Sequence, residues 1–488
     1  MASRGLTGVL SNDNGFVFGI EGLDSVLKGS LAGGSLIVIA GHPGSGKTTL
    51  ASTMCYHNAL RTHKCLYISL QEDKEKLYRN MQKLGINLEE VEKKNQYRHV
   101  KMPIIVSKDT VVEAITDIVN NALRNFDPRV IVIDSITPVF NALSTNIEAR
   151  AVLQNFFANL ARLTDGLVIL IAETPLSRND ADLGGLEFVA DVILMLTHKI
   201  MGRLLLRELR IVKSRGSSVP VTLMTFAIIE GHGIRVYAPP RLEEIPPPNL
   251  HRTFRLPCRS LEELGMALHA GEIVYVPSPK PYLLSHILFH LFISAAHNKV
   301  KALVVSYESS PKYTWHQVAE VAKNLAGLNL TWEKVAEALK DNVVIVSYNP
   351  TAHIPEELFH LSLEIVEKTN PDVVVFVGDT PVGMVVDEDD FLRNHSDLMI
   401  NHVLYLRRKG LTTVIVGGKH ENVRNLLNNI ADVIIDFESR DVEGEGVFNL
   451  LFSRKGGFPV RLAGECLRDC INDIVNISAE IFTTPDVR

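Results

Sequence analysis

Cysteine is scarce: five in 488 residues (Cys55, Cys65, Cys258, Cys466 and Cys470), with no C-x-x-C pair and no Cys/His grouping at zinc-finger spacing. That pattern offers no zinc module and reads as reduced thiols in a cytoplasmic protein. Long apolar runs are missing too. None reaches the ~18 residues that span a bilayer, and the opening MASRGLTGVLSNDNG lacks the charged-then-apolar order of a signal peptide. Neither a membrane span nor export is expected. Positive charge is not in excess: 50 Lys+Arg against 56 Asp+Glu give a formal charge of −6, so nothing in the balance draws the chain to nucleic acid or an anionic membrane. The seventeen histidines form no H-E-x-x-H motif. What remains is a globular composition, 46% hydrophobic and 22% charged, which excludes disorder, collagen and coiled coil. The length accommodates about three average domains, or two large α/β ones.

Short runs of β-branched and aliphatic residues alternate with helical spacing, the pattern of buried parallel strands covered by helices. In the first half the expected strands are Ser35–Ala40, Lys64–Leu70, Val130–Asp134, Leu167–Ala172, Asp191–Leu196 and Leu206–Lys213. The twenty residues from Ala238 to Pro257 hold six prolines and read as a linker, a poor interior for strand or helix. This divides the chain into 1–238, a linker 239–257, and 258–488. The order of elements then repeats. DPRVIVIDS at Asp127 faces NPDVVVFVGD at Asn370 (offset 243), DGLVILIAE at Asp165 faces KGLTTVIVG at Lys409 (offset 244), and VADVILML at Val189 faces IADVIIDF at Ile430 (offset 241). Three ordered matches at nearly one offset imply two copies of one α/β domain, against the blander reading of two sheets with similar strand texture.

Gly41-His42-Pro43-Gly44-Ser45-Gly46-Lys47-Thr48 fits G-x-x-x-x-G-K-[ST] between an apolar run and a helix-like stretch that Thr49 begins. Glycines let successive N–H groups turn toward phosphate oxygens, and the helix presents its positive end to the same anion. Lys47 would bridge the β- and γ-phosphates, and Thr48 would offer a hydroxyl to Mg²⁺, which takes few protein ligands. Asp134, ending VIVID, stands where a strand delivers a carboxylate near that metal; alone it would read as a turn residue. The expected ligands are ATP and Mg²⁺, held by Gly41 to Thr49 and Asp134.

FGIEGLDSVL (Phe18–Leu27), GHPGSGKTT, YISLQED, VIVIDS, EFVADVILML and ELRIVKSRGSSVP occur in this order, and together they resemble the KaiC-like branch of RecA-type ATPases. The resemblance implies two tandem RecA-like domains and a ring, hexameric in the family, in which Lys213 and Arg215 of one subunit reach the nucleotide held by the next. Alternate strand residues point the same way, so both cations could face one phosphate; the plain alternative is solvated charge on an edge strand. One departure concerns hydrolysis. The first of two acidic residues in the family pattern, the one that activates water, is Gln71 here, followed by Glu72. An amide orients water without accepting its proton; Glu72 is the candidate to take over that part, but on a continuing strand it would face the opposite side, so a shift of backbone would be needed. Glu173, after the fourth expected strand, stands where such folds sense the γ-phosphate, with loop capping as the alternative.

In the second copy IVYVPSPKPYLL sets Pro277 opposite Gly41 and Leu283 opposite Lys47, and Pro277, Pro279 and Pro281 remove the amide donors a phosphate loop needs. Lys280 falls outside the motif's register. Glu308 aligns with Gln71, Lys455 with Arg215, and Ser453 replaces Lys213. The copy reads as a scaffold or partner platform, which argues against a clock role that uses ATP in the second domain. Cys466 and Cys470, four apart, read as a buried or fortuitous pair, and KLYRNMQKLG (Lys76–Gly85) as an amphipathic helix.

The functional expectation is an ATP-binding, Mg-dependent protein with slow hydrolysis coupled to assembly or to rearrangement of an unidentified protein partner. A scaffold with negligible hydrolysis is the alternative. A RecA-like DNA motor is disfavoured by the net acidity and by the lack of an extended basic, aromatic strip. The sequence does not separate ATP from GTP; the resemblance favours ATP.

Overall fold

A computed structural model describes residues 15–483 apart from 28, 103–107, 143–146, 176–182, 184, 202, 220, 241, 278–280, 379–395, 419–420 and 443–444. The chain divides into two compact units, Met1–Ala238 and Pro239–Arg488. Each is an α/β layer structure with one mostly parallel sheet between helices.

The strands of the first unit are β1 (Ser35–Gly41), β2 (Cys65–Ser69), β3 (Tyr97–Lys101), β4 (Val130–Asp134), β5 (Leu167–Glu173), β6 (Val192–Met201), β7 (Leu204–Ser214), β8 (Leu223–Ile229) and β9 (Gly233–Tyr237). They lie in the order β3-β2-β4-β5-β1-β6-β7-β8-β9. Pairings from β3 to β6 are parallel and the rest antiparallel. Alternate residues of β1 enter two cores. Ile37 and Ile39 meet Leu50 and Met54 of the helix Lys47–Leu60, whereas Leu36 and Val38 meet Phe157 and Leu160 of the helix Ile147–Leu163. Burial on both faces is why these strands read as unbroken apolar runs.

The second unit begins with β10 (Asn249–Phe254) and β11 (Leu268–Ala270), an antiparallel pair. So the proline-rich stretch is not featureless: its proline-free part Asn249–Phe254 is a strand, because backbone donors are intact there. The main sheet holds β12 (Ile273–Pro277), β13 (Ala302–Ser306), β14 (Val343–Ser347), β15 (Val373–Val377), β16 (Thr412–Gly417), β17 (Val433–Val442), β18 (Glu445–Arg454) and β19 (Val460–Leu462). Its order, β14-β13-β15-β16-β12-β17-β18-β19, repeats the wiring of the first sheet strand for strand, except that nothing among the described residues corresponds to β9. In its place the helix Gly464–Thr483 packs on the short helix Arg259–Glu263, as β9 packs on the short helix Glu21–Val26 in the first unit.

The expected strands of the first unit are present, but three others escape sequence reading: Leu223–Ile229 and Gly233–Tyr237 beyond the last expected strand, and Tyr97–Lys101, a polar edge strand with no apolar run to reveal it. The hairpin of β6 and β7 is longer than expected because it passes the core edge, with Lys199 and Glu208 paired at 2.9 Å on it.

The expectation of five reduced thiols is corrected. Cys258 and Cys470 form a disulfide, joining the start of the helix Arg259–Glu263 to the helix Gly464–Thr483. Cys466 is exposed and free, so of the two readings of its spacing from Cys470 the fortuitous one stands and the buried pair does not. Proximity across 212 residues is invisible in local spacing. Cys55 and Cys65 are buried thiols, and burial pushes the Cys65 thiol up from its ordinary pKa. No helix among the described residues is long and apolar enough to cross a membrane. Thiol titration of the denatured, air-oxidised chain is therefore expected to give three reactive groups, rising to five after reduction; five without reductant would contradict the disulfide.

Candidate functional site

The loop Gly41–Lys47 leaves the carboxyl end of β1, between β5 and β6, where helices following parallel strands converge their amino ends. Gly41 cannot be replaced there: a Cβ would lie 2.0 Å from the carbonyl oxygen of Leu196 in β6. Gly44 and Gly46 have φ of +76° and +104°, in the region that disfavours side chains. The amides of His42 and Thr174 tie the loop down, donating to Leu196 O (3.2 Å) and Gly41 O (3.0 Å).

Lys47 opens the helix Lys47–Leu60 and turns back over the loop, its ammonium donating to the carbonyls of Gly41 (3.0 Å) and His42 (2.8 Å). Burial lowers its pKa from the ordinary lysine value, while Glu173 and then Asp134 oppose the fall. Thr48 Oγ1 donates to Asp134 Oδ2 at 2.8 Å, and Tyr67 OH donates to the same oxygen at 2.6 Å. Burial, then the neighbouring Asp134, raises the Tyr67 pKa and keeps the phenol a donor. Thr49 and Ser45 are buried. The hydroxyls of Ser45, Ser135 and Thr174 are enclosed without a hydrogen-bond partner among the described residues. Such groups call for a ligand or water, and their positions in the loop, after Asp134 and beside Gly41 fit a polyoxyanion and its cation. No group of three or more His, Cys, Asp or Glu gathers among the described residues, so a cation would rely on Thr48, Asp134, water and the ligand's own oxygens.

The other expected residues are placed differently. β2 ends at Ser69, so Gln71 and Glu72 lie in a loop, and the argument that they face opposite sides of a strand does not apply. Gln71 is exposed. Glu72 is pinned by its amide to Ser69 Oγ (2.9 Å), and its carboxylate is 3.6 Å from Lys76. Glu173 is paired with Gly41 across β1 and β5, its amide bonded to Thr137 Oγ1 (2.7 Å).

Lys213 and Arg215 meet each other at one place, but not at their own loop. Lys213 Nζ donates to Glu187 O (2.8 Å), and Arg215 donates to Phe188 O (2.9 Å) and approaches Asp191 Oδ1 (3.4 Å). The strand ends at Ser214, so Arg215 lies in the turn beyond it. A register shift between Ile193 and Leu194 leaves Val212 as an added residue just before Lys213. Gly41 is level with Leu196, whereas Lys213 is level with Ile193. The pair is thus about 10 Å nearer the opposite rim of the sheet and two strands away, from 3.3 Å per residue and 4.8 Å per strand. Neither cation covers the loop of its own chain.

The second unit retains the frame without the chemistry. Ser306 of β13 is paired with Val377 as Ser69 is with Asp134, so the metal-side carboxylate is a valine there. Pro277 pairs with Gly417 as Ala40 pairs with Ala172. It therefore stands at Ala40 rather than at Gly41, and Lys47 corresponds to Leu284 rather than Leu283. The one-residue slip arises because apolar strands align equally well in neighbouring registers. Pro279 and Lys280 lie outside the described residues. Glu308 and Ser309 follow Ser306 as Gln71 and Glu72 follow Ser69, with the Ser309 amide on Ser306 Oγ (3.0 Å). Lys455, in Arg215's place, reaches Asn429 O at 3.5 Å, and Ser453 faces Ile434 as Lys213 faces Ile193.

Tyr67, Ser135, Thr137 and Thr174 were not singled out from the sequence. Tyr67 sits in an ordinary core strand, and only its pairing beside β4 brings it to Asp134; Thr137 likewise becomes a partner of Glu173 through folding.

Residues 17–241 match the family model of the KaiC ATPase. A UPF0273 protein of Thermotoga maritima is 24% identical over 234 residues, 45% of this chain and 94% of that protein. The circadian clock oscillator protein KaiC of Picosynechococcus is 27% identical over 226 residues, 43% of each chain. That of Synechococcus elongatus is 20% identical over 440 residues, covering 87% of this chain and 82% of its own length, so this similarity runs through both units.

A triphosphate beside Lys47 favours its charged form. Free Lys47, with its lowered pKa, is partly neutral before an ordinary lysine is, so nucleotide binding is expected to take up protons on the alkaline side, below the ordinary lysine range, and to weaken as pH rises further. Calorimetry in buffers of unequal ionisation heat measures this; proton release, or uptake that persists in Lys47→Met, would contradict it.

Proposed function

We propose that the chain, whose residues 17–241 match the KaiC ATPase family model, binds ATP with Mg²⁺ at Gly41–Thr49 and Asp134 and hydrolyses it slowly, coupling nucleotide state to subunit or partner rearrangement. The observation that carries this reading is the junction of Lys47, Thr48 and Asp134 at the mouth of a loop no side chain can enter at Gly41. Bound Mg²⁺ would neutralise charge developing on the phosphate oxygens. The loop amides and the helix amino end bind the phosphates, Lys47 moves from carbonyls to phosphate, and Asp134, fixed by Tyr67, orients Thr48 toward the cation. Exclusion of GTP is not built into these contacts; the choice of ATP rests on the family resemblance.

Lys213 and Arg215 complete the site of a neighbouring subunit in this reading, because they sit together and away from their own loop. The chain then works as a homo-oligomer, with a hexameric ring the arrangement the resemblance favours, in the cytoplasm and with a protein partner rather than nucleic acid or membrane. Slow turnover follows from Gln71 in place of a carboxylate and from the tie between Glu72 and Lys76, since neither supplies a free base to water. The same two observations favour the second reading, a nucleotide-dependent scaffold with negligible hydrolysis.

Phosphate release from MgATP by the full chain is expected to exceed that of Lys47→Ala and to rise at least tenfold in Gln71→Glu. Release at the Lys47→Ala level in both would establish the scaffold. For the shared site, Lys47→Ala and Lys213→Ala/Arg215→Ala chains are each expected to be inactive alone, and their mixture to recover part of the activity as intact loops meet intact cations across mixed interfaces. No recovery in assemblies that demonstrably mix would refute action between subunits.

A further inference from the structure

The helix that follows the first strand of each unit shows what the second copy gained. In the first unit Leu50 and Met54 of the helix Lys47–Leu60 are fully buried, in one core with Phe18, Leu23 and, from β9, Val236. The corresponding helix of the second unit, Pro281–His297, turns the same stripe inward, with Leu283, His286, Ile287, His290, Leu291 and Ser294 at helical spacing. Here Ile287 joins a core with Phe254 and Ile474, and Leu283 and Leu291 pack against it, but the stripe also borders a pocket of about 410 Å³. Where β9 would fill the space, the helix Gly464–Thr483 supplies Leu467, Ile471 and Ile474 to the wall, and the disulfide Cys258–Cys470 closes part of it.

The chemistry of the lining restricts what fits. Among the described residues no Asp, Glu, Lys or Arg lines the pocket, whose described surface is hydrocarbon apart from the Cys258–Cys470 sulfurs, His286, His290, Ser294 and Asn449. Burial, and then the nearby His286, lowers the His290 pKa to about 4, so this imidazole is neutral at pH 7 and offers one donor and one acceptor. Ser294 Oγ donates to His290 O at 2.6 Å and keeps its lone pairs for a further partner. An ionised ligand would leave water for a lining without a counter-charge, which is costly. The volume lies in the range of small-molecule sites, and an apolar wall with a few convergent polar groups is their usual composition.

We infer that the second unit binds an uncharged, mainly hydrocarbon molecule with one or two hydrogen-bonding oxygens, of the fatty-alcohol class, in this pocket, its oxygen toward His286, His290 and Ser294. The inference is independent of nucleotide binding in the first unit.

The full chain is tested with the neutral dye Nile red as reporter and decanol as competitor. Saturable dye uptake is expected, with displacement by decanol at least ten times more effective than by decanoate at pH 8, and with uptake unchanged in Lys47→Ala. Leu291→Phe/Ile471→Phe, which fills the pocket, is expected to lower decanol affinity at least tenfold while melting and circular dichroism stay as in the parent. If that variant does not fold, photolabelling of the parent chain by a diazirine-bearing decanol decides, with label expected in peptides 283–294 and 467–474. Absence of saturable uptake, which is also the result if the chain's own segments fill the space, overturns the inference. So do equal displacement by decanoate, unaltered affinity in a folded filled variant, or label confined to other peptides.

Discussion

One oxygen of Asp134 accepts hydrogen bonds from two hydroxyls, Tyr67 of β2 and Thr48 of the helix that follows the phosphate loop. Three elements meet at that atom: the strand that carries the carboxylate, its neighbour in the sheet, and the helix whose amino end faces an anion. A charged acceptor shared by two donors is stronger than a neutral bond and fixes direction as well as distance. Asp134 and Glu173 both lie within electrostatic reach of Lys47. The position of the loop thus follows from the sheet register that sets β4 beside both β2 and β5, and the loop in turn is held to β6 by contacts that only a glycine at Gly41 permits.

The second unit separates the frame from the chemistry laid on it. Its strands run in the same order, and details persist that no catalytic demand explains. Asp432 accepts from the amide of Ile273 at 2.8 Å as Asp191 accepts from Leu36 at 2.9 Å, and Lys455 takes the place of Arg215 over a carbonyl. Against that background Val377 replaces Asp134, a proline-rich segment replaces the glycine loop, and a pocket stands where β9 and an N-terminal segment fill the first unit. A parallel sheet buried on both faces tolerates such exchange at its carboxyl rim, because the loops there contribute little to either core.

Much of this was legible beforehand. The Gly41–Thr48 motif is local, since its φ angles and the helix start depend on adjacent residues, and Asp134 could be placed because an acidic residue closing an apolar run ends at the rim of a sheet. The parallel strands β1, β2, β4 and β5, buried on both faces, were legible for the same reason that they are buried, whereas β8 and β9 were not singled out. The edge strand Tyr97–Lys101, the strand Asn249–Phe254 and the outer part of the β6–β7 hairpin were not, because exposure removes the apolar signal. Glu72 was misjudged by assuming that β2 continued, when the Ser69 hydroxyl ends it by capturing the Glu72 amide.

By itself the amino-acid order determined the duplication, the phosphate loop, its acidic partner and the loss of that loop in the second half, since each is encoded in neighbouring residues or in a period that survives copying. Tertiary structure alone decided that Tyr67 orients Asp134, that Cys258 finds Cys470, that Lys213 and Arg215 gather at the rim away from their own loop, and that a helix stripe equivalent to a packed one borders a pocket. These are outcomes of pairing between segments far apart in the chain. Such pairing depends on which strand lies next to which and at what register, and no local spacing carries that information.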